Sequence, residues 1–246
     1  MMQKDLWIDT RLTKEEIKFL NDAISEDKKK SHSKKLSGNI SYSAVIEDKN
    51  NWFYESALKR LTERMFYWDW NNFSKYQIEK DESQLPEFEM YRFWINYQRQ
   101  HDFNPLHAHL GLFSFVVFMK IPTHWEKQHS FPHFDVPSAS DFAFVWSEKD
   151  SELCTTINFK LSPEDEGRIL FFPAFLHHQV YPFYECEEER ITIAGNIRLC
   201  DPNRLKVQEI PVDEYEEKEY ALKILENSVR VTKEELKQMK KEREKV

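Results

Sequence analysis

Between residues 88 and 199 the chain is cut into short runs rich in aromatic and β-branched residues, each closed by a polar or proline-bearing break. This pattern restricts the fold more than any other feature. The first run, FEMYRFWINYQRQ from Phe88, alternates loosely, and others occupy residues 112–119, 142–146, 155–161, 168–172, 175–181 and 190–199. Short runs of this composition bounded by turn residues read as strands. Many of them in series pack as an antiparallel sandwich or barrel. A chain of 246 residues can bury one substantial core, so the expected class is mainly β with flanking helices (α+β).

The flanks read differently. Residues 1–86 are expected to form a helical segment packing on a β-core of residues 87–200, followed by a charged helical tail, 201–246. Thr13 and Glu16 make a capping box, with Ile17, Leu20 and Ile24 behind it at helical spacing. Phe53, Ala57, Leu61, Met65 and Trp68 repeat near 3.6 within residues 52–70, as in a second helix laid on a sheet. The basic run 28–35 reads as a solvated linker. A second capping box, Thr232 to Glu235, opens the last stretch, read as a solvated helix with partner binding as its other use. Residues 122–140 carry Pro122, Pro132 and Pro137 and are expected to be a loop or lid over one end.

Charge and cysteine usage exclude some classes. A formal charge of −8 argues against a general nucleic-acid binder. The longest apolar run is too short to span a bilayer, and residues 1–16 lack an apolar leader. Cys154, Cys186 and Cys200 are odd in number and show no C-x-x-C spacing, so neither a disulfide framework nor a structural zinc site is indicated. The expectation is a soluble, cytoplasmic protein.

Chemistry concentrates in three places. His107 and His109 stand two apart, a spacing that puts side chains on one face of a strand. The stretch 167–180, GRILFFPAFLHHQV, brings His177 and His178 to the end of an apolar run. A histidine distant in sequence from H-x-H is what a three-point metal site needs. Arg190, Thr192, Ala194 and Asn196 then share one strand face, an arginine with a hydroxyl beside it, which suits a carboxylate. Each feature has a plainer reading. His107 and His109 could be a polar pair at a strand end, and Arg190 an ion-pair partner of the acidic run 185–189. His177 reads as solvent-facing or as a support for a ligand, and His124, His129 and His133 as lid or surface residues.

The order H-x-H, G-x-x-x-x-F-P, H-x-V and R-x-T resembles the iron(II)- and 2-oxoglutarate-dependent dioxygenases, in particular the prolyl 4-hydroxylase-like group and its phage and marine-microbial relatives. The likeness runs from about Glu87 to Leu199. It implies a double-stranded β-helix, or jelly roll, holding Fe(II) at one open end. On that likeness His107 falls on the first metal ligand and His178, two before Val180, on the distal one. Arg190 falls on the anchor of the far carboxylate of 2-oxoglutarate, with Thr192 as its hydroxyl partner. Tyr97 and Asn96 are further candidates for cosubstrate contacts. The implied reaction hydroxylates a substrate with O2, releasing succinate and CO2. A peptidyl proline is the first guess for the substrate by analogy, and a virus-encoded enzyme in a host cytoplasm the implied setting.

One position departs from the pattern. His109 stands where most of the family has Asp or Glu, leaving either a three-histidine site or two histidines with water. Asp102, the nearest upstream carboxylate, is not expected to substitute. A cupin-like metal dioxygenase without 2-oxoglutarate would share the histidines but would not need Arg190. A non-catalytic barrel serving as an interaction protein would need neither.

Overall fold

The computed structural model describes residues 6–27, 40–68, 87–131, 137–147 and 153–200. The basic run 28–35, His133 and the charged tail 201–246 lie outside the described residues.

Among the described residues, ten strands form two antiparallel sheets. The larger sheet contains β1 (Ile8–Arg11), β2 (Tyr42–Val45), β3 (Phe88–Gln98), β5 (Phe113–Lys120), β8 (Arg168–Pro173) and β10 (Arg190–Leu199), in the order β1-β8-β5-β10-β3-β2. The smaller holds β4 (Asn104–His107), β6 (Phe142–Ser147), β7 (Cys154–Phe159) and β9 (His177–Val180), in the order β4-β9-β6-β7. Two such sheets facing each other make the jelly roll.

The large sheet is buried on both faces. Phe113, Phe115 and Val117 of β5, Ile169 and Phe171 of β8, and Ile191, Ile193 and Ile197 of β10 join the core beneath the helices. Their alternates Val116, Phe118, Leu170 and Phe172 pack with Phe142, Phe144 and Phe159 between the sheets. Double burial explains why β5 reads as an unbroken apolar run.

Helix α1 (Lys14–Asp27) starts at the expected capping box: the Thr13 amide donates to Glu16 Oε2 at 2.7 Å, and the Glu16 amide to Thr13 Oγ1 at 3.3 Å. The second helical stretch opens on Asp48, whose carboxylate accepts the Phe53 and Tyr54 amides at 2.8 and 2.9 Å. It passes through a π-turn, Tyr54–Leu58, into α2 (Lys59–Trp68). Phe53, Ala57, Leu61 and Met65 are buried as their spacing predicts.

Three expectations change. The N-terminal segment is not helical alone, because β1 and β2 from it form the two edges of the large sheet. His107 and His109 do not share one strand: His107 ends β4, and His109 lies in a corner at 108–112, in which Gly111 takes φ +108°, before β5 begins in the other sheet. The proline-bearing segment 122–140 contains α3 (Trp125–His129) and ends on the buried Ala139 and Ser140, so its described ends belong to the packed body. No helix among the described residues is long and apolar enough to cross a membrane. All three cysteines are free.

Candidate metal and anion site

His107 ends β4 and pairs across the small sheet with His178 of β9. His109 arrives from the corner, where its amide donates to the Ala174 carbonyl at 2.8 Å while the Ala174 amide donates to Leu112 at 2.9 Å. The corner is thereby pinned to the end of β8. The three imidazoles converge, with ring centroids 4.2 Å apart for His107 and His178, 4.9 Å for His109 and His178, and 5.0 Å for His107 and His109. One nitrogen of each lies within 4.8 Å of the others, a group able to hold a metal ion.

Tautomers are set by the backbone. His107 Nδ1 lies 2.7 Å from the Pro105 carbonyl and His178 Nδ1 3.0 Å from that of Leu176. A carbonyl only accepts, so Nδ1 carries the proton and Nε2 keeps its lone pair for a metal. His178 is surrounded by Phe142, Phe144 and Phe172. Burial lowers all three pKa values: His178 well below the ordinary value, His109 to about 4 with His107 and Arg92 adding repulsion, and His107 below its ordinary value, against the hydrogen bond to Pro105. At neutral pH all three are uncharged, the state a metal ligand requires.

His177, next in sequence, points to solvent. Asp102 is occupied elsewhere, its Oδ2 accepting the Ser41 and Arg99 amides at 2.7 and 2.9 Å. The histidine group contains no carboxylate.

Arg190 begins β10 and is 1% exposed. Its Nη2 donates to the carbonyl and the hydroxyl of Ser140, whereas Nε and Nη1 have no partner. Its guanidinium lies over the Phe183 ring, 5.0 Å from the centroid. Burial pushes its pKa down to about 10 while Asp141 opposes the shift, so it is a cation at neutral pH. The acidic run does not neutralise it: Glu185, Glu188 and Glu189 pair with Lys127, Lys120 and Arg99.

Register orders the wall between the two groups. Thr192 pairs with Asn96 on one side and with Phe118 of the inner core on the other. Arg190, Thr192, Ala194 and Asn196 therefore share the face turned into the barrel. Trp94, opposite Ala194, has its ring 5.7 Å from that of His109. Ala194 is four residues from Arg190, about 13 Å along a strand, so the part of the wall beside Trp94 and His109 and the arginine are separated by about that length of β10. Asn96 stands on this wall and accepts a 2.7 Å bond from the Ser43 hydroxyl. Tyr97 does not: strand alternation turns it to the helix side, among the residues packed under α1 and with its ring against Tyr42. Its place as a cosubstrate contact is corrected on that ground.

Sequence reading missed Ser140, Asp141 and the true position of His129. His129 is mostly buried, and its Nε2 lies 2.9 Å from Asp141 Oδ1. Asp141 Oδ2 accepts from Asn158 at 3.0 Å. A proline-bearing segment with irregularly spaced histidines carries no periodic signal of burial, and only the adjacent Ala-Ser-Asp before an apolar run hinted at it.

The jelly roll thus carries a three-histidine group able to hold a metal ion on its small sheet and corner, and a buried, partly unpartnered arginine at the start of β10 in its large sheet. Residues 92–196 match the model of a 2OG-Fe(II) oxygenase family. Similar solved structures include a Pseudomonas putida prolyl-4-hydroxylase, at 13% identity and TM-score 0.49, covering 80% of this chain and 94% of that one. Another is a viral collagen prolyl hydroxylase from Paramecium Bursaria Chlorella virus-1, at 16% and 0.44, covering 80% and 97%. A third is a Trichoplax adhaerens prolyl hydroxylase in complex with a hypoxia inducible factor peptide fragment, at 9% and 0.46, covering 83% and 88%. No curated protein matches the chain.

Proposed function

We propose that this chain is an oxygenase that uses Fe(II), 2-oxoglutarate and O2 to hydroxylate a substrate, with His107, His109 and His178 as the metal ligands. The observation that carries the reading is Arg190: a buried cation whose Nε and Nη1 have no partner among the described residues, on the inward face of the strand that passes Trp94 beside His109. Buried donors are almost always satisfied, so donors left over on a buried guanidinium suit a charge-assisted hydrogen bond to a ligand carboxylate. Thr192 stands beside it to add a hydroxyl, and Asn96 lines the wall between. The metal and 2-oxoglutarate, when bound, supply the oxidising chemistry, with succinate and CO2 as the coupled products.

The chain's own contribution is binding and orientation. The Pro105 and Leu176 carbonyls fix two of the imidazoles with Nε2 inward. Phe142, Phe144 and Phe172 keep water from the His178 side. Three neutral imidazoles leave the centre one unit more positive than a site with one carboxylate, which strengthens its hold on an anionic cosubstrate. For the acceptor we favour a peptide, because Leu106 beside His107 and Phe175 near His178 are both about half exposed and offer apolar contacts at the rim.

Anaerobic titration of the Fe(II)-loaded protein with 2-oxoglutarate tests this, read from the visible charge-transfer band of the chelate. The band is expected in the wild type and lost with the iron in His178→Ala. Full iron binding by that variant would sink the ligand assignment. Iron binding without a band would favour a cupin-like enzyme that does without 2-oxoglutarate.

A further inference from the structure

Asp141 and Arg190 pose a problem that the anchoring role does not solve. Asp141 directly follows Ser140, the residue that accepts from Arg190 Nη2, and both Asp141 and Arg190 are buried. A buried carboxylate beside a buried guanidinium ordinarily closes into a bidentate pair. Here it does not, and Nε and Nη1 stay open.

Both oxygens of Asp141 are already engaged. Oδ1 meets His129 Nε2, brought by α3, and Oδ2 meets Asn158 Nδ2, brought by β7. The helix is itself fixed, since the Gln128 side chain donates to the Tyr184 carbonyl at 2.8 Å and accepts the Tyr184 amide at 2.9 Å. Ser140 takes φ +73°, a left-handed conformation unusual for a residue with a Cβ. Its hydroxyl also lies 3.0 Å from that of Thr123. The whole corner is held so that Arg190 bonds the neutral groups of Ser140 and not the Asp141 carboxylate.

We propose that His129 and Asn158 are positioning residues that tether Asp141 away from Arg190, keeping the guanidinium open for an anionic ligand. Asp141 then acts through space: its charge favours the protonated guanidinium without using the donors that the ligand needs. Releasing one tether lets the carboxylate turn to Nε or Nη1 and compete with the ligand. The inference rests on Arg190 being the carboxylate anchor.

The experiment measures equilibrium binding of 2-oxoglutarate to the anaerobic Fe(II) protein by calorimetry. The proteins compared are wild type, Arg190→Met, Asn158→Ala, Asn158→Ser and each Asn158 variant combined with Asp141→Asn. Serine keeps a small polar group in β7 but is too short to reach Asp141, so it serves if alanine disturbs the strand. Loss of the tether is expected to weaken binding by roughly ten-fold, and Asp141→Asn in the same chain to recover most of it. That recovery marks a competing carboxylate, because general damage to the corner would be worsened by a second substitution. Wild-type binding that depends on Arg190 but is indifferent to Asn158, or a loss that Asp141→Asn leaves in place, overturns the tether. Binding that Arg190→Met leaves unchanged overturns the anchor, and the tether with it.

Discussion

Replacing Arg190 by methionine is expected to separate function from stability. Nε or Nη1 can offer a carboxylate a charge-assisted hydrogen bond, worth about 1.5–3 kcal/mol. Its loss is about 10- to 10²-fold in the dissociation constant of 2-oxoglutarate. Stability should move little or upward. The variant gives up the two contacts to Ser140 but also removes two buried donors without partners, each of which costs about 1–3 kcal/mol. Methionine fills much of the space of the arginine stem. The assay pairs anaerobic calorimetry with a thermal melt of the metal-free protein. A change in affinity of less than roughly threefold, or a melting temperature that collapses while affinity holds, would refute the reasoning and make Arg190 a structural ion.

Other predictions follow from the same contacts. A Cβ at position 195 would stand 2.6 Å from Phe115 Cε1 and 2.7 Å from the Arg92 carbonyl oxygen, and backbone cannot yield as a side chain can. Gly195→Ala should therefore cost about 1–3 kcal/mol in urea unfolding, and an unchanged midpoint would contradict the packing. The His109 pKa is held near 4 by burial, then by His107 and Arg92, whereas an unfolded histidine titrates near 6.5. Its contribution is thus complete above pH 6.5 and is lost as the pH falls toward 4, about 3 kcal/mol in all. Metal-free His109→Gln should lack this part of the acid destabilisation when unfolding is compared at pH 7 and 4.5. Glu16 caps α1 and also bonds Arg60 at 3.2 Å. Glu16→Ala should lower stability by about 1–2 kcal/mol, seen as a reduced melting temperature with metal binding intact.

Much of the site was legible before any coordinates. His107 and His109 two apart, with a distant histidine pair at the end of an apolar run, suggested a meeting point, the family resemblance singled out His178 from that pair, and the three do meet within 4.8 Å. Arg190 and Thr192 lie on one strand face because alternation has a period of two, a local property. Which face turns inward is not local. Tyr97 looked as eligible as Asn96, and only the packing of α1 and α2 on one side of the large sheet separated them. IDTR and YSAV are too short and too polar to announce β1 and β2; pairing with β8 and β3 makes them strands.

The sequence by itself determined the aromatic, doubly buried strands, the capped first helix and the residue types able to bind metal and carboxylate, since periodicity and side-chain chemistry are carried by neighbours along the chain. Only the tertiary structure decided that Ser140, fifty residues from Arg190, would share its guanidinium. It likewise brought His129 and Asn158, from a helix and a strand on either side of β6, to hold Asp141 off that cation. Such contacts arise from how sheets and helices close around a core, and the cost of a buried charge without a partner appears only once the core exists.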